Sequence, residues 1–277
     1  MILVTAATAP VGRSIVEQLL DAGHEVRALT RDPTDADLPA GADAVAGDLS
    51  DPEMRAAMRG VSAVFLLAVV PGFAPAFLEA AKEAGVRRIV FQSSGAIVDG
   101  VEEQPNEVAA FHREIERAIE ESGLEWTFLR LEVASADALQ WAFDVPGQLS
   151  RGDVVRGPYA DAAGSPIHPA DFAAVAVAAL IDDRHARKTY ALTGPRSLTN
   201  TEQIELIGRA HGRTLRYEEL DPEQAREAMG PHAPADLLME TWERHRTTPA
   251  PVTDTVERVT GQPPRSVEQW AADYPVS

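Results

Sequence analysis

The sequence predicts an α/β fold built on a doubly wound parallel sheet, and three observations carry that prediction. Short apolar runs alternate with stretches of helical period through the first half of the chain. A loop of small residues joins the first run to the first helical stretch, and glycines stand where the helical stretches stop. The 277 residues suffice for one large α/β domain, or for a domain with an appended lobe, and are too few for two independent domains.

Taken in order, residues 2–5 form the first apolar run. Residues 11–20 carry apolar side chains at helical spacing before Ala22-Gly23 ends them. Residues 25–29 and 43–46 read as the second and third strands, and 63–69 as a strand buried on both faces. A helix over 73–84, a strand over 88–92, a helix over 106–122 and a strand over 126–129 follow, with Gly85 and Gly123 as C-terminal stops. Strands alternating with helices pair in parallel through right-handed crossovers, so residues 1–150 are expected to form a Rossmann-type doubly wound parallel sheet. From about Arg151 the rhythm changes to a Gly/Pro/Asp-rich stretch, a helix over 169–181, a strand over 189–192 and mostly helical sequence. Residues 151–277 are therefore expected to be a small, mainly helical C-terminal lobe that is not an independent domain. The longest stretch without a clear pattern is 231–254.

Composition narrows the partners. Lys and Arg number 25 against 43 Asp and Glu, and the net charge of −18 repels phosphate backbones and anionic lipid, so no nucleic acid and no membrane are expected. The chain has no cysteine, which removes disulfides, thiolate metal sites and a cysteine nucleophile together. The apolar run that starts at Met1 stops at Val4, too short for a signal peptide or a membrane span, and the expected location is cytoplasmic. His24, His112, His168, His185, His211, His232 and His245 are scattered, so no metal is expected, and no Gly-x-Ser-x-Gly elbow suggests a hydrolase.

The loop from Val4 to Gly12 lies where a dinucleotide fold places its pyrophosphate, against free amides and the positive end of a helix dipole. Of the three glycines expected there only Gly12 is present, with Ala6 and Ala9 at the other two positions. Ala6 then requires a turn without positive φ, and Ala9 pushes the backbone slightly away from the phosphates. Pro10 has no amide, which leaves Val11 and Gly12 as donors, with Thr5, Ala7 and Thr8 completing the loop. After the second strand the chain reads Thr30-Arg31, with no acid at the strand end to take a ribose diol. A hydroxyl and a guanidinium suit the 2′-phosphate of NADP. Asp48 and Leu49 are placed to approach the adenine, and Ala68, Val69 and Val70 to flank the nicotinamide ribose.

Together these segments resemble the atypical short-chain dehydrogenase/reductase proteins of the NmrA-like group, including the type 2 quinone oxidoreductases. Besides the N-terminal loop and Leu29-Thr30-Arg31-Asp32-Pro33, the resemblance rests on Ile115-Glu116 and on the run from Ser122 to Arg130. It continues in Pro169-Ala170-Asp171, Leu192-Thr193-Gly194-Pro195, Val256, Thr260-Gly261 and Pro263-Pro264. It implies a Rossmann sheet, NADP(H) as cofactor, and a substrate cleft between the cofactor and the C-terminal lobe. Members of the group include reductases of quinones and carbonyl compounds as well as regulators that bind dinucleotide without turnover.

The resemblance also exposes a gap. Standard short-chain dehydrogenases place a proton-donating tyrosine and, one helical turn on, a ribose-holding lysine; here those positions hold Val108 and His112. His112, with an ordinary pKa near ~6.5, is the candidate to hold the nicotinamide ribose or to act as an acid; bonding to Glu116 on its own helix is the alternative. Ser93 and Ser94, ending the fifth strand, are the other catalytic candidates. The run Leu131-Glu132-Val133-Ala134 departs from the proline-glycine usual in these relatives, and Leu131 and Val133, with Trp141, Phe143, Tyr159 and His168, are the candidates to line a substrate cleft. The expected function is NAD(P)H-dependent reduction of a quinone or conjugated carbonyl, because direct hydride transfer to such acceptors needs less help from an acid. An NADP-sensing regulator without turnover and a non-redox isomerase or cyclase remain open alternatives. A small-molecule substrate is the expected partner, with a homodimer left open.

Overall fold

The computed structural model describes residues 1–34, 36–49, 54–230 and 233–276, so Pro231 and His232 lie outside the described residues. Short, wholly buried apolar runs make the central strands: β1 (Ile2–Val4) and β4 (Ala63–Leu66) bury every side chain. Around them lie β2 (Val26–Thr30), β3 (Asp43–Ala46), β5 (Arg88–Ser94), β6 (Glu125–Leu131) and β9 (Lys188–Leu192). Among the described residues these seven form one sheet in the order β3-β2-β1-β4-β5-β6-β9. β1 pairs in parallel with β2, Val4 opposite Ala28, and with β4, Val4 opposite Phe65. The chain thus moves outward from β1 to β3 and then crosses back to β4, which puts the topological switch point between β1 and β4.

The helices are α1 (Pro10–Asp21), α2 (Met54–Ala57), α3 (Ala74–Glu83) and α4 (Glu107–Glu121), then α5 (Ala138–Ala142) and α6 (Val145–Arg151). α7 (Pro169–Ile181), α8 (Asn200–Ala210), α9 (Pro222–Ala228), α10 (Ala235–Arg244), α11 (Thr255–Thr260) and α12 (Val267–Ala272) follow. Pro10 opens α1 at the position where a missing amide costs nothing and φ is preset. Ile15, Val16 and Leu19 form its buried face, and Gly23, at φ 80°, turns the chain toward β2. α7 packs on α1, with the Gln18 amide donating to the Ala170 carbonyl at 2.9 Å. It is apolar on nearly every face because nearly every face is covered.

Contact between residues divides the chain differently from the two consecutive segments expected. One unit comprises Met1–Arg130, Pro169–Ala191 and Arg258–Gly261; the other comprises Leu131–His168, Leu192–Glu257 and Gln262–Ser277. The helix and strand expected in the C-terminal lobe, α7 and β9, belong to the first unit, as a cover for α1 and a seventh strand. Within that unit Phe65 meets Phe172 edge-on at 6.5 Å, and Phe91 meets Phe128 at 6.3 Å. The apolar run over 63–69 also differs from expectation: β4 stops at Leu66, and Val69 is 77% exposed.

The second unit holds two small ribbons besides its helices. β7 (Val154–Pro158) pairs in parallel with β11 (Arg216–Leu220), and β8 (Ala163–Gly164) antiparallel with β10 (Leu198–Thr199). Its core draws on Leu139, Phe143, Val155, Ile204, Trp242 and Trp270, residues far apart in the chain. α8 starts at a reciprocal cap: the Thr199 hydroxyl accepts from the Glu202 amide while Glu202 accepts from the Thr199 amide. Among the described residues no helix is long and apolar enough to cross a membrane.

Candidate functional site

The turn from β1 into α1 is held by hydrogen bonds of its own. Thr5 is buried, and its hydroxyl accepts from the Leu67 amide at 2.8 Å, stitching the end of β1 to the segment after β4. The Ala9 amide donates to the Ala6 carbonyl at 3.0 Å. With Pro10 lacking an amide, the donors left at the first turn of α1 belong to Val11 and Gly12. They stand at the positive end of a helix with no acidic residue in its first turn.

Ala6 corrects one expectation. It adopts φ 50°, in the left-handed region, so the turn keeps the conformation a glycine would take and stores strain instead of avoiding it. Gly12 explains why. A Cβ on Gly12 would come within 2.1 Å of the Ala6 carbonyl oxygen, so only glycine lets the turn fold down onto the helix. The close helix–strand approach therefore dictates the backbone at Ala6, whatever residue stands there.

Beyond the carboxyl ends of β1 to β4 lies a crevice of about 720 Å3. Residues from four chain segments meet in it: Thr5 and Thr8 from the loop, Thr30 and Arg31 from the end of β2, Asp48 and Leu49 after β3, Val69 and Val70 after β4. All of these were cofactor candidates from the sequence. Ala6 of the same loop also lines it, and Leu29, Asp32, Ala36, Gly47 and Leu67, which were not cofactor candidates, complete the wall. Gly47 could have been found from close packing alone, since a Cβ there would meet the Leu29 side chain at 2.9 Å. Asp32 is tied to its own turn, its Oδ1 accepting from the Thr34 amide at 2.9 Å and from the Thr34 hydroxyl at 2.6 Å. Ala7 and Ala68 are buried behind the wall, and Ala9, Pro10, Val11 and Gly12 form the helix start beside it.

The catalytic candidates lie at the end of β5 and on α4. His112 is half-buried, stacked on Phe91 at 6.0 Å, with Nδ1 2.8 Å from the Val108 carbonyl. A carbonyl only accepts, so Nδ1 carries the hydrogen and Nε2 presents a lone pair. Burial pulls the imidazole below its ordinary pKa, against the raising influences of the Val108 carbonyl and the Glu116 carboxylate, and at neutral pH the ring is uncharged. Its bond goes to Val108, not to Glu116. Ser94 is buried and its hydroxyl accepts from the Ala96 amide at 3.1 Å. Ser93 departs from expectation: its hydroxyl donates to the fully buried Glu116 carboxylate at 2.7 Å and so serves the sheet–helix contact.

Glu116 also accepts from Arg130 Nη2 at 2.8 Å and from Arg113 at 3.1 Å. Arg130 in turn grips Asp99, in the loop after β5, through both its terminal nitrogens at 2.8 and 2.9 Å. Paired on both sides, the Arg130 guanidinium has its pKa raised despite burial, and the Asp99 carboxyl is lowered by the arginine.

The substrate candidates are not brought to one place. Val133 lines a small cavity in the second unit, whereas Trp141 and Phe143 border a surface groove. Tyr159, at φ 42°, lies under the Arg246 guanidinium at 5.1 Å. His168 is paired through Nε2 with Asp273 at 2.9 Å, and Leu131 ends β6. Aromatic spacing along the sequence carried no information about which of these side chains would converge.

A family model for NAD(P)H-binding proteins matches residues 6–183. A (4-alkanoyl-5-oxo-2,5-dihydrofuran-3-yl)methyl phosphate reductase from Streptomyces griseus is 40% identical over 285 residues, covering 99% of this chain and 98% of that protein. An NAD(P)H azoreductase from Xenophilus azovorans is 33% identical over 283 residues, covering 98% and 96%. Among solved structures, the NADPH-dependent quinone oxidoreductase of Escherichia coli shares the fold with a TM-score of 0.75 at 24% identity, covering 98% of each chain. The crevice at the switch point, the glycine-only approach of helix to loop and these matches agree: the chain belongs to the NAD(P)H-binding family.

Proposed function

We propose that the protein is an NADP(H)-dependent reductase of a quinone or another electron-poor conjugated carbonyl compound. The observation that carries the reading is the crevice in which Thr5 and Thr8 of the loop before α1, Thr30 and Arg31, Asp48 and Val69 are gathered at the carboxyl ends of the strands. In it the amides of Val11 and Gly12 hold the pyrophosphate, Arg31 and Thr30 receive the 2′-phosphate, and Asp48 and Leu49 bound the adenine. Val69 and Val70 flank the nicotinamide ribose, and the His112 Nε2 lone pair accepts a ribose hydroxyl. The nicotinamide, when bound, supplies the hydride.

Val108 cannot donate a proton and neutral His112 is an acceptor at Nε2, so the acceptor must tolerate hydride addition with little acid assistance. Conjugated acceptors do, because the developing charge is delocalised and water can protonate it. Support comes from the acceptors in the relatives' names: an unsaturated lactone, an azo compound and a quinone are all electron-poor π systems. The cysteine-free, acidic chain suits work on a small molecule in the cytoplasm.

NADPH oxidation followed against a panel of quinones, butenolides, enones and azo dyes tests this reading. Saturable turnover of at least one class is the expected result. Tight NADPH binding with no turnover on the whole panel would defeat it in favour of a sensor, and conversion of a substrate without nicotinamide consumption would defeat it in favour of an isomerase.

A further inference from the structure

The second unit holds a narrow, partly open pocket with room of about 20 Å3, lined by Val133, Leu139 and Trp242 together with Asp137 and Tyr274. Asp137 is half-buried, and its Oδ1 is shut off from solvent. Its Oδ2 accepts from the Trp270 indole at 3.4 Å, while Oδ1 has no hydrogen-bond partner among the described residues. The Tyr274 hydroxyl, on a residue only 4% exposed, has none either. Two orphaned buried polar atoms at one small cavity are unusual, because such atoms are nearly always satisfied by protein or by ordered water. Asp137 also holds a left-handed backbone at φ 48°, so strain and unmet hydrogen bonding coincide here.

We propose that this cavity is a binding site for one ordered water molecule that joins Asp137 Oδ1 to the Tyr274 hydroxyl. Size selects the guest. About 10–15 Å3 of such space accommodates a water, and an organic ligand or a phosphate would need many times the room present. Valence agrees. Desolvation keeps the Asp137 carboxyl protonated at mildly acidic pH, its pKa raised to about 7. With Oδ2 accepting from the indole, Oδ1–H donates to the water, and the Tyr274 hydroxyl provides the second bond.

Asn200 and Gln203, also on the wall, have spent their amide nitrogens on the backbone: Asn200 on the Pro158 and Tyr159 carbonyls at 3.2 and 3.1 Å, Gln203 on the Leu198 carbonyl at 3.1 Å. Their side-chain oxygens are the acceptors for the water's own hydrogens. The water thereby links the start of α5, the first turns of α8 and the segment after α12, adding to the Trp270–Asp137 bond. The site belongs wholly to the second unit and does not depend on the cofactor reading.

A crystal structure of the full chain, at a resolution that defines ordered water, is expected to show one water within hydrogen-bond distance of both Asp137 Oδ1 and the Tyr274 hydroxyl. Absence of density there, or a direct carboxyl–phenol bond, overturns the proposal. Tyr274→Phe gives an independent sign test in solution. It lowers the thermal midpoint by several degrees if the hydroxyl is bonded to water. An unchanged or raised midpoint means that the hydroxyl was unsatisfied and overturns the proposal. Asp137→Asn, which keeps one donor and one acceptor, is expected to retain the water in its own crystal structure, and loss of that water counts against it.

Discussion

Ala6 and Gly12 form one device, and substitutions at the two positions should move stability in opposite directions. A left-handed alanine costs about 1–2 kcal/mol, part of which glycine would return as extra entropy of the unfolded chain. Ala6→Gly is therefore expected to stabilise by up to about 1 kcal/mol, a rise of about 2–4 °C in the thermal midpoint. Gly12→Ala would drive its methyl into the Ala6 carbonyl oxygen, costing about 1–3 kcal/mol or more and abolishing NADPH binding. Equal effects of the two substitutions would contradict the geometry.

Asp137 supplies a pH signature at the same scale. Burial raises its carboxyl from the ordinary 3.8 to about 7, against the lowering influence of the Trp270 indole, and Asp137 in turn, with Asp144, adds to the burial that raises the Tyr274 hydroxyl. Below pH 3.8 both folded and unfolded chains hold the proton and nothing is lost. Between pH 3.8 and 7 only the unfolded chain releases it, so stability falls as pH rises; above pH 7 the loss is constant, at about 4 kcal/mol. Asp137→Asn cannot ionise, so its urea midpoint should gain on that of the unaltered chain across that interval and then hold level. A difference independent of pH would contradict this account.

Among the elements, α4 is fixed to the sheet by a buried charge. Glu116 contacts Ser93 of β5, Arg130 of β6 and Arg113 of its own helix, and Arg130 carries the link to Asp99 beyond β5. Removing the carboxylate leaves buried cationic and hydroxyl groups without their partner, so Glu116→Ala should cost about 3–5 kcal/mol in chemical denaturation. Ser93→Ala, which removes one neutral donor to that carboxylate, should cost only about 1–3 kcal/mol. Comparable losses from both would refute the assignment of Glu116 as the centre of the network.

The elements of the sheet were legible because each announces itself locally. Alternation of apolar runs with helical period, and Gly23, Gly85 and Gly123 at positive φ, mark where strands and helices begin and end. Val69 was misread as strand because an apolar side chain flanking a crevice looks the same in sequence as one inside a sheet. The Glu116 network was not legible: a glutamate on a helix reads as solvated until the arginine that pairs with it, on a strand, is seen to lie beneath it.

At the scale of the molecule, the crevice was readable and the second unit was not. The cofactor candidates that line the crevice stand at or after the ends of β1, β2, β3 and β4, and the rule that ligands lie beyond the carboxyl ends of such strands gathers them without knowledge of any contact, whereas His112, on α4, is not among its lining residues. The second unit is assembled from segments near residues 140, 155, 204, 242 and 270, and its β7–β11 pairing spans about sixty positions. No local period encodes such contacts. The boundary expected near residue 150 missed for the same reason, since α7 and β9 return to the first unit through packing and pairing with α1 and the sheet edge.

The net charge of −18 sets the demand on the crevice. In a field that disfavours anions, a cofactor with an extra phosphate is preferred only where a local cation outweighs the surroundings. Asp32 and Asp48 share the wall with Arg31, so the preference must rest on that guanidinium. Calorimetric titration of the unaltered chain and of Arg31→Ala with NADPH and NADH measures this directly. The account predicts that the substitution weakens NADPH binding about 10–100-fold while leaving NADH nearly unchanged; equal losses for both dinucleotides, or none for either, would contradict it.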